Sequence, residues 1–237
     1  MLVLAIQYWN GDREQALTLA KRLADLEDTR RTDVAIEFVL RFDAAEPLPA
    51  TIAYVAEKFH VSVYRCKRRG EGHPAGCNDM VHDYLGKCWE RYLRDPRYKD
   101  TVDGVYLYEG DNVPLRKDWL DATVAEWKVA REQGKYLLGC WHPDGSLVGH
   151  INGNLIFRPD LFGLIKGLEG CPSWSAWDLH HAQKFEPHWY KSSLMVNLYR
   201  ATNVPKSWLY DKKGKAKFAN CHGVKDLSVY DLAKSLF

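Results

Sequence analysis

The sequence has 237 residues, enough for one large domain, or one domain with a small appendage, rather than two full domains. Its 33 basic and 31 acidic residues leave a formal net charge of +2, which does not by itself indicate nucleic-acid binding. An apolar fraction of 46% and a charged fraction of 27% exclude disorder as the main state. The first apolar run is too short for a membrane span or a signal peptide. The six cysteines form no CxxC pair, which predicts reduced thiols and a cytoplasmic location.

Strands and helices alternate along the first part of the chain. Apolar runs predict strands at 2–8, 33–42 and 60–66, and helical spacing predicts helices after Asp12 and at 51–59. Asp12 is expected to cap its helix. Because the strands are apolar on both faces, we expect a parallel sheet covered by helices. Ligands bind such sheets beyond the carboxyl ends of the strands, which predicts a functional edge formed by residues 7–12, 41–43 and 65–76.

The second part of the chain is less regular. The pattern predicts helices at 79–94, 119–132 and 227–236 and strands at 103–111, 136–141 and 149–157, with a turn at 143–145 between the last two strands. Beyond Pro172 the periodicity weakens, and the residues between it and the last helix are expected to form loops.

A pair of carboxylates ends the strand at 103–111. Alternation along a strand predicts that Glu109 and Asp111 face the same side, and Gly110 between them would let a ligand approach the backbone. Carboxylate oxygens suit Mg²⁺ or Mn²⁺, which completes its shell with phosphate oxygens. The alternative is an acidic turn that caps the next segment.

A glycine-rich loop, Gly70-x-Gly-x-Pro-Ala-Gly-x-Asn78, precedes the third helix. Backbone N–H groups at a helix start can bind an anion, and Asn78 could reach a base or a ribose. The loop is neither a Walker A motif nor GxGxxG, so an ordinary strand-to-helix connection is the alternative. The loop is preceded by a basic run of Arg65, Lys67, Arg68 and Arg69, which is a solvated rim, a phosphate clamp or a DNA contact.

Three segments together resemble GT-A-type nucleotide-sugar glycosyltransferases, and the chain is similar to small phage-encoded members. The glycine-rich loop resembles their G…A…N segment, residues 103–114 resemble their DxD metal motif with Glu109 in place of the first Asp, and residues 149–160 resemble their acceptor-side strand. The resemblance covers roughly residues 1–180. It implies a single GT-A-like α/β domain over 1–237, with a mostly parallel sheet flanked by helices and an irregular C-terminal acceptor-side segment. The nucleotide-sugar half would be 1–112, and the acceptor half with its tail would be 113–237.

The resemblance also implies roles for particular residues. Mn²⁺ or Mg²⁺ would be held by Glu109, Asp111 and the late His222, although a lone loop histidine is the plainer interpretation of the last. The implied donor-binding residues are Tyr8 or Trp9, Asp43, Arg65, Gly76, Asn78 and Lys225. The implied acceptor-binding residues are Asn152, Asn154, His180 and His181.

Asp178 resembles in position the carboxylate that deprotonates the acceptor in inverting members. Its apolar neighbours Trp177 and Leu179 are expected to raise its pKa, as a general base requires. A helix N-cap is the structural alternative, and His180 and His181 are alternative bases. If the reaction retains configuration, Asp178 would bind the acceptor instead.

The predicted function is metal-dependent transfer of a sugar from a nucleotide-diphosphate sugar, a UDP-sugar above all, to a hydroxyl acceptor. A hydroxymethylated pyrimidine in phage DNA is one candidate acceptor, and the protein would then act in the host cytoplasm. The rival interpretations are a sugar-nucleotide nucleotidyltransferase and a non-catalytic carbohydrate- or DNA-binding protein. The sequence leaves the oligomeric state open. A lysine-rich tail would be a lid over the donor, a nucleic-acid contact or a solvated loop, and it contains Lys206, Lys212, Lys213, Lys215 and Lys217.

Overall fold

The computed structural model describes residues 1–142, 150–168, 170–224 and 228–234. The first half alternates strands and helices, as the sequence predicts. The strands are β1 (Leu2–Tyr8), β2 (Val34–Leu40), β3 (His60–Arg65) and β4 (Gly104–Glu109), and the helices are α1 (Arg13–Asp25), α2 (Pro49–Ala56), α3 (Ala75–Arg94) and α4 (Pro96–Thr101). β1, β2 and β4 are buried on both faces, whereas β3 lies half exposed at the sheet edge, so the expectation that all these strands are buried was wrong for β3.

The second half contains more regular structure than the sequence predicts. Its strands are β5 (Val113–Pro114), β6 (Leu137–His142), β7 (His150–Phe157), β8 (Trp189–Lys191), β9 (Met195–Ala201) and β10 (Asn220–Val224). Its helices are α5 (Trp119–Glu132), α6 (Leu161–Leu164), α7 (Trp177–His180), α8 (Ala182–Phe185), α9 (Lys206–Leu209) and α10 (Ser228–Lys234). The expectation of loops beyond Pro172 was therefore wrong. The predicted turn at 143–145 lies outside the described residues.

Two sheets organise these strands. The larger has seven strands in the order β3-β2-β1-β4-β7-β6-β8, and the smaller has three in the order β5-β10-β9. β3, β2, β1 and β4 run parallel, β7 is antiparallel to both of its neighbours, and β8 is parallel to β6. The predicted mostly parallel sheet flanked by helices is confirmed.

Apolar side chains fill both faces of the large sheet. On one face α1 packs against β1 and α5 packs against β4 and β6, with Trp119 and Trp127 buried, and on the other face α3 packs through Tyr84 and Leu85. A third cluster lies under the small sheet. Each large apolar side chain buried in this way stabilises the fold by about 1.5–3 kcal/mol.

The strand register aligns the carboxyl ends of the parallel strands. Gln7 of β1 pairs with Val39 of β2 on one side and with Glu109 of β4 on the other, and Leu40 pairs with Arg65. The loops that follow these strands therefore meet at one edge of the sheet, which is the predicted functional edge.

The six cysteines, all within the described residues, are free thiols. None of the helices in the described ranges is long and apolar enough to cross a membrane.

Candidate functional site

A tight turn, and not strand alternation, brings the predicted carboxylate pair together. β4 ends at Glu109, and the N–H of Asn112 donates to the Glu109 carbonyl at 3.0 Å, so Asp111 lies in a turn after the strand. We call residues 109–112 the acidic turn. The strand predicted to continue to residue 111 is therefore too long. Asp111 is buried, whereas the side chain of Glu109 is 44% exposed.

His222 completes a cluster with the two carboxylates. Its Nε2 lies 2.8 Å from Oε2 of Glu109 and 3.2 Å from Oδ1 of Asp111. One nitrogen and two oxygens, one from each residue, fall within 4.8 Å of one another, close enough to ligate a single cation. The sequence separates His222 from Asp111 by about a hundred residues, and the small sheet brings them together because β10 pairs with β5 immediately after the acidic turn.

A buried hydrogen-bond network fixes β10 against β4. The Asn220 amide donates to the hydroxyl of Tyr106 at 3.0 Å and to Oδ1 of Asn112 at 3.2 Å, and it accepts from the hydroxyl of Tyr108 at 2.9 Å. The amide of Asn112 donates to the Glu109 carbonyl at 3.0 Å. Asn220 and Asn112 are fully buried, so this network, which we call the Asn220 network, sets the position of His222 relative to the acidic turn.

The electrostatics of His222 show how strongly negative this edge of the sheet is. Burial disfavours a charged imidazole, but hydrogen bonds to Asp111 and Glu109 and the charges of both carboxylates outweigh burial and raise the pKa of His222 to about 10. In the metal-free protein the imidazolium therefore neutralises part of the carboxylate charge.

The structure adds a packing role for Gly110 and corrects the expectation for Asp12. The nearest neighbour of a side chain at position 110 would be the backbone N of Ala16, at 3.3 Å, so Gly110 permits close packing of α1, and its role in ligand approach stays a prediction. Asp12 occupies the N-cap position of α1, but its side chain makes no capping bond and instead accepts from the N–H of Trp9 at 2.8 Å. Burial, with smaller contributions from the charges of Glu109 and Asp111, raises the pKa of Asp12 to about 6.

The structure distinguishes the two aromatic candidates that end β1. Tyr8 is buried and its hydroxyl donates to the Ala45 carbonyl at 2.9 Å, whereas Trp9 is 47% exposed. The guanidinium of Arg41 lies 5.3 Å from the Trp9 ring centroid and forms a two-bond ion pair with Asp43, each bond 2.6 Å. Trp9 is thus the residue with an accessible aromatic surface for a base.

Arg65 braces the loop after β2. Its guanidinium donates to the carbonyls of Ala44 at 2.6 Å and Phe42 at 3.2 Å, and it pairs with Glu46. The guanidinium of Arg65, which we expected to contact a phosphate, is therefore bound to the loop that carries Asp43.

Gly76 lies in the first turn of α3, where its N–H donates to the Gly72 carbonyl at 2.8 Å. An added side chain at this position would meet the Gly70 carbonyl oxygen at 3.0 Å.

Asn78 holds the segment that carries Asp178. It is buried in α3, its amide donates to the Ser175 carbonyl at 2.8 Å, and its Oδ1 accepts from the N–H of Trp177 at 2.9 Å. Both ends of the amide are thus bound to residues next to Asp178. The donor-binding role of Asn78 stays a prediction, and the contacts observed are those of a positioning residue.

The charge of the acidic turn influences Asp178. Burial raises the pKa of its carboxyl, the charge of Glu109 raises it further, and His150, whose Nε2 is 4.0 Å from Oδ2, opposes the shift. Asp178 is the first-turn residue of α7, and its Oδ1 accepts the Leu179 N–H at 2.9 Å. Cys77 lies in the first turn of α3, and desolvation of its sulfur is the main cause that raises its pKa to about 11. The charges of Glu109, Asp12 and Asp178 raise it further, so the fields of all three carboxylates act at Cys77.

The predicted acceptor residues are in dissimilar surroundings. Asn154 is fully buried and hydrogen-bonds to Tyr106, His181 is fully buried among aromatic rings, and His180 is exposed. Burial is the main cause that lowers the pKa of His181, to about 4. The side chain of Asn152 and the whole of Lys225 lie outside what the structure describes.

Sequence reasoning missed Asn220, His150 and Cys77. Asn220 precedes His222 in Asn220-Cys-His222, and the period-two spacing of a buried strand could have identified it. No local pattern marks His150 or Cys77, because their relevance depends on contacts made across the fold.

The architecture and this edge define a fold class. The sheet begins with parallel βαβ units and is extended after the acidic turn by a strand antiparallel to its neighbours, and a small second sheet covers that turn. This arrangement is the fold of GT-A glycosyltransferases. The recognition of that class from sequence is confirmed at the level of the fold, and the phage-encoded likeness stays a prediction.

Two solved structures have this fold. TarS of S. aureus superposes with a TM-score of 0.53 at 12% identity, covering 99% of this chain and 38% of that one. The glycosyltransferase GlyE of Streptococcus pneumoniae TIGR4 superposes with a TM-score of 0.51 at 14% identity, covering 95% of this chain and 55% of that one. The chain thus spans about two fifths to just over half of their lengths. No protein-family model and no curated protein sequence matches it.

Proposed function

We propose that the protein is a metal-dependent glycosyltransferase that moves a sugar from a nucleotide-diphosphate sugar to a hydroxyl acceptor. The observation that carries the proposal is the cluster of Glu109, Asp111 and His222 at the carboxyl end of β4 in a GT-A fold. Ligands of parallel α/β sheets bind at this edge.

The chemistry of the three side chains fits a divalent cation. Two carboxylate oxygens and one imidazole nitrogen give a partial shell that leaves positions for diphosphate oxygens. The nitrogen favours Mn²⁺ over Mg²⁺, which prefers oxygen ligands. A bound ion would supply positive charge for the leaving diphosphate.

The chain's own residues divide the remaining work. We assign residues 1–112 to the donor, with the exposed ring of Trp9 against the base and the loop carrying Asp43 beside it. Arg65 and Asn78 would act by holding loops in place rather than by touching the donor. We assign residues 113–237 to the acceptor, with Asp178, whose carboxyl is influenced by the charge of Glu109, as the residue that would contact the acceptor hydroxyl.

Asp178 is the proposed general base if the reaction inverts configuration. Its oxygen would accept the hydroxyl proton as the acceptor oxygen attacks the sugar carbon, and its raised pKa makes it a stronger base than an exposed aspartate. If configuration is retained, Asp178 would bind the acceptor hydroxyl without taking its proton.

The acceptor hypothesis includes a hydroxymethylated pyrimidine in phage DNA, modified in the host cytoplasm. Such a base must be single-stranded or flipped out of the helix to enter the cleft. The lysine-rich residues before β10 support an anionic acceptor of this kind.

Two rival functions predict different results. A nucleotidyltransferase would bind a nucleoside triphosphate and usually carries its glycine-rich loop after the first strand, where residues 7–12 hold one glycine. A binding module would retain ligand affinity without metal. UDP-, GDP- and CDP-sugars and nucleoside triphosphates, each with and without Mn²⁺, should therefore be tested in a thermal-shift panel.

We expect one sugar-nucleotide to raise Tm with Mn²⁺. At a hundredfold excess over Kd the gain is about 2.7 kcal/mol, or roughly 5–10 °C for a chain of this size. Asp111→Asn should abolish the Mn²⁺-dependent shift and donor hydrolysis, whereas the exposed control Asp118→Asn should keep both. A panel without any sugar-nucleotide shift, or an equal shift in both variants, would contradict the proposal.

A further inference from the structure

Positive charge is concentrated in one stretch of the sequence. Residues 187–225 contain eight Lys or Arg and a single acidic residue, Asp211, which gives this stretch a net charge of +7. The other 25 basic and 30 acidic residues carry −5. The near-neutral total therefore conceals a strong asymmetry between this stretch and the remainder of the chain, and such asymmetry is typical of proteins that bind polyanions.

Residues 206–217 form the centre of this stretch, and we call them the basic turn. Oδ1 of Asp211 accepts the backbone N–H groups of Lys213 at 2.8 Å and Lys215 at 2.9 Å, so the one acidic side chain is engaged in shaping the turn. Tyr210 and Ala216 form an antiparallel bridge, and the Tyr210 hydroxyl donates to the Leu115 carbonyl at 3.0 Å. All five lysines of the basic turn are exposed.

An exposed aromatic ring accompanies these lysines. Trp208 in α9 is 55% exposed, and Nζ of Lys217 donates to the carbonyl of its neighbour Ser207 at 2.8 Å, so the end of the basic turn lies against α9. Cations next to an accessible indole form the usual surface for a single strand of nucleic acid, where phosphates meet the cations and a base stacks on the ring.

The basic turn is also close to the acidic turn. His222 follows Lys217 by five positions, a span of at most roughly 18 Å of extended chain. A strand bound along the basic turn would thus have a neighbouring unit within reach of the acidic turn, whose carboxylates, without a bound cation, would not themselves attract phosphate.

We propose that the basic turn binds the phosphate backbone of a single-stranded nucleic acid, with Trp208 stacked on one base. The inference deepens the proposed function by naming the acceptor class, and it rests on that function for the claim that the bound strand is the acceptor. Binding itself requires neither donor nor metal.

The test is the binding of a fluorescent single-stranded DNA oligonucleotide, followed by anisotropy between 50 and 200 mM salt, without donor or metal. The test variant is Lys212→Ala/Lys213→Ala/Lys215→Ala. The charge-matched control is Lys58→Ala/Lys99→Ala/Lys128→Ala, which removes exposed or half-exposed lysines from elsewhere. We expect the test variant to bind at least tenfold more weakly, and the slope of log K against log salt to fall by about two, since each phosphate contact on a single strand contributes about 0.7. The control should stay within about twofold of the parent.

A second comparison tests the stacked base. Trp208→Leu should lose about fivefold or more in affinity for the oligonucleotide and none for inorganic polyphosphate, because stacking is worth about 1–3 kcal/mol per base, and Trp208→Tyr should recover most of the loss. Equal losses in both lysine variants, or no binding by the parent at 50 mM salt, would overturn the proposal. So would polyphosphate binding as tight as the oligonucleotide with no effect of Trp208→Leu. Donor hydrolysis with Mn²⁺ is measured separately, so failure here and failure of the proposed function are distinguishable.

Discussion

The four parallel strands β3, β2, β1 and β4 and the three-stranded small sheet meet at the acidic turn, but different contacts stabilise them. The parallel strands are buried in two apolar layers, one on each face. The small sheet covers a smaller apolar cluster and is attached to β4 through the Asn220 network.

Each region contains a buried polar cluster, and the two clusters differ in their position relative to the acidic turn. Glu37 lies in the middle of β2, 2% exposed, and pairs with Lys87 while accepting from the Tyr84 hydroxyl at 2.7 Å. Burial opposes ionisation of Glu37, yet the charge of Lys87 and these hydrogen bonds lower the pKa of its carboxyl. The Glu37 cluster lies within the core, away from the acidic turn, whereas the Asn220 network contacts the acidic turn. We therefore expect changes in the Glu37 cluster to alter stability and changes in the Asn220 network to alter the site.

The largest effect on stability is expected from Lys87→Met. It leaves the Glu37 carboxylate buried without its main partner, since Arg91 contributes a longer contact of 3.3 Å from a half-exposed side chain. Removal of one member of a buried ion pair costs about 3 kcal/mol or more. Urea unfolding should show this loss, and Tm should fall by roughly 6–12 °C.

The matched control is the double variant Glu37→Gln/Lys87→Met. It removes the stranded charge, so its stability should return most of the way to that of the parent. Mn²⁺ affinity per folded molecule should be unchanged in both variants. A single variant as stable as the parent would show that the cluster is solvated.

Asn220→Ala tests the other side of the comparison. It removes three buried hydrogen bonds and should cost about 2 kcal/mol of stability, less than Lys87→Met. Because the network positions His222, the same variant should weaken Mn²⁺ binding, measured by isothermal titration, at least tenfold. Asn10→Ala, in the loop after β1, is the control, since the Asn10 amide also donates and accepts hydrogen bonds, here exposed ones to backbone atoms away from β10. Unchanged Mn²⁺ affinity in Asn220→Ala would contradict a positioning role.

The sequence predicts the parallel half well because its information is local. The continuous apolar runs of β1, β2 and β4 and the helical spacing of Leu19, Leu23 and Ala16 each require only a short window, and the register then aligns their ends. Whether a strand lies at the edge of the sheet depends on residues far away in the sequence. For this reason the half-exposed edge strand β3 was wrongly predicted to be buried.

The small sheet was not predicted because its strands depend on partners far along the chain. β10 pairs with β5, and the bond from Asn220 to Tyr106 spans 114 positions, so neither strand is marked by its own neighbours alone. The residues at the acidic turn were identified through their type and through a family resemblance, but the turn geometry and the contacts of Asn78 and Arg65 required the fold.

The protonation of the buried His181 gives a further prediction. Burial, aided by the charges of Lys184 and His180, lowers the pKa of His181 to about 4 from an ordinary value near 6.5. At pH 7.5 the residue is neutral in both states, and as pH falls through 6.5 only the unfolded chain binds the proton, which destabilises the fold. The loss by pH 5 should be about 2 kcal/mol. His181→Phe should remove this part of the slope in urea unfolding at the two pH values, and His60→Phe, at an exposed position at the start of β3, should not. Parallel slopes for His181→Phe and the parent would contradict the assignment.

The smallest effect on stability, about 1 kcal/mol, is expected from Asn78→Ala. This variant nevertheless distinguishes two roles for Asn78, positioning of the segment next to Asp178 and direct contact with the donor. Loss of the bonds to Ser175 and Trp177 frees the segment next to Asp178, so water should enter and the pKa of Asp178 should fall towards its ordinary value. The acid limb of the transfer rate, which reports an ionised base, should then move to lower pH while kcat falls and the donor KM stays within about twofold. Asn78→Asp, which keeps the acceptor for the Trp177 N–H and loses the donor, should lie between Asn78→Ala and the parent. A donor KM that rises in both variants with an unmoved acid limb would instead place Asn78 against the donor, as the glycine-rich loop first indicated.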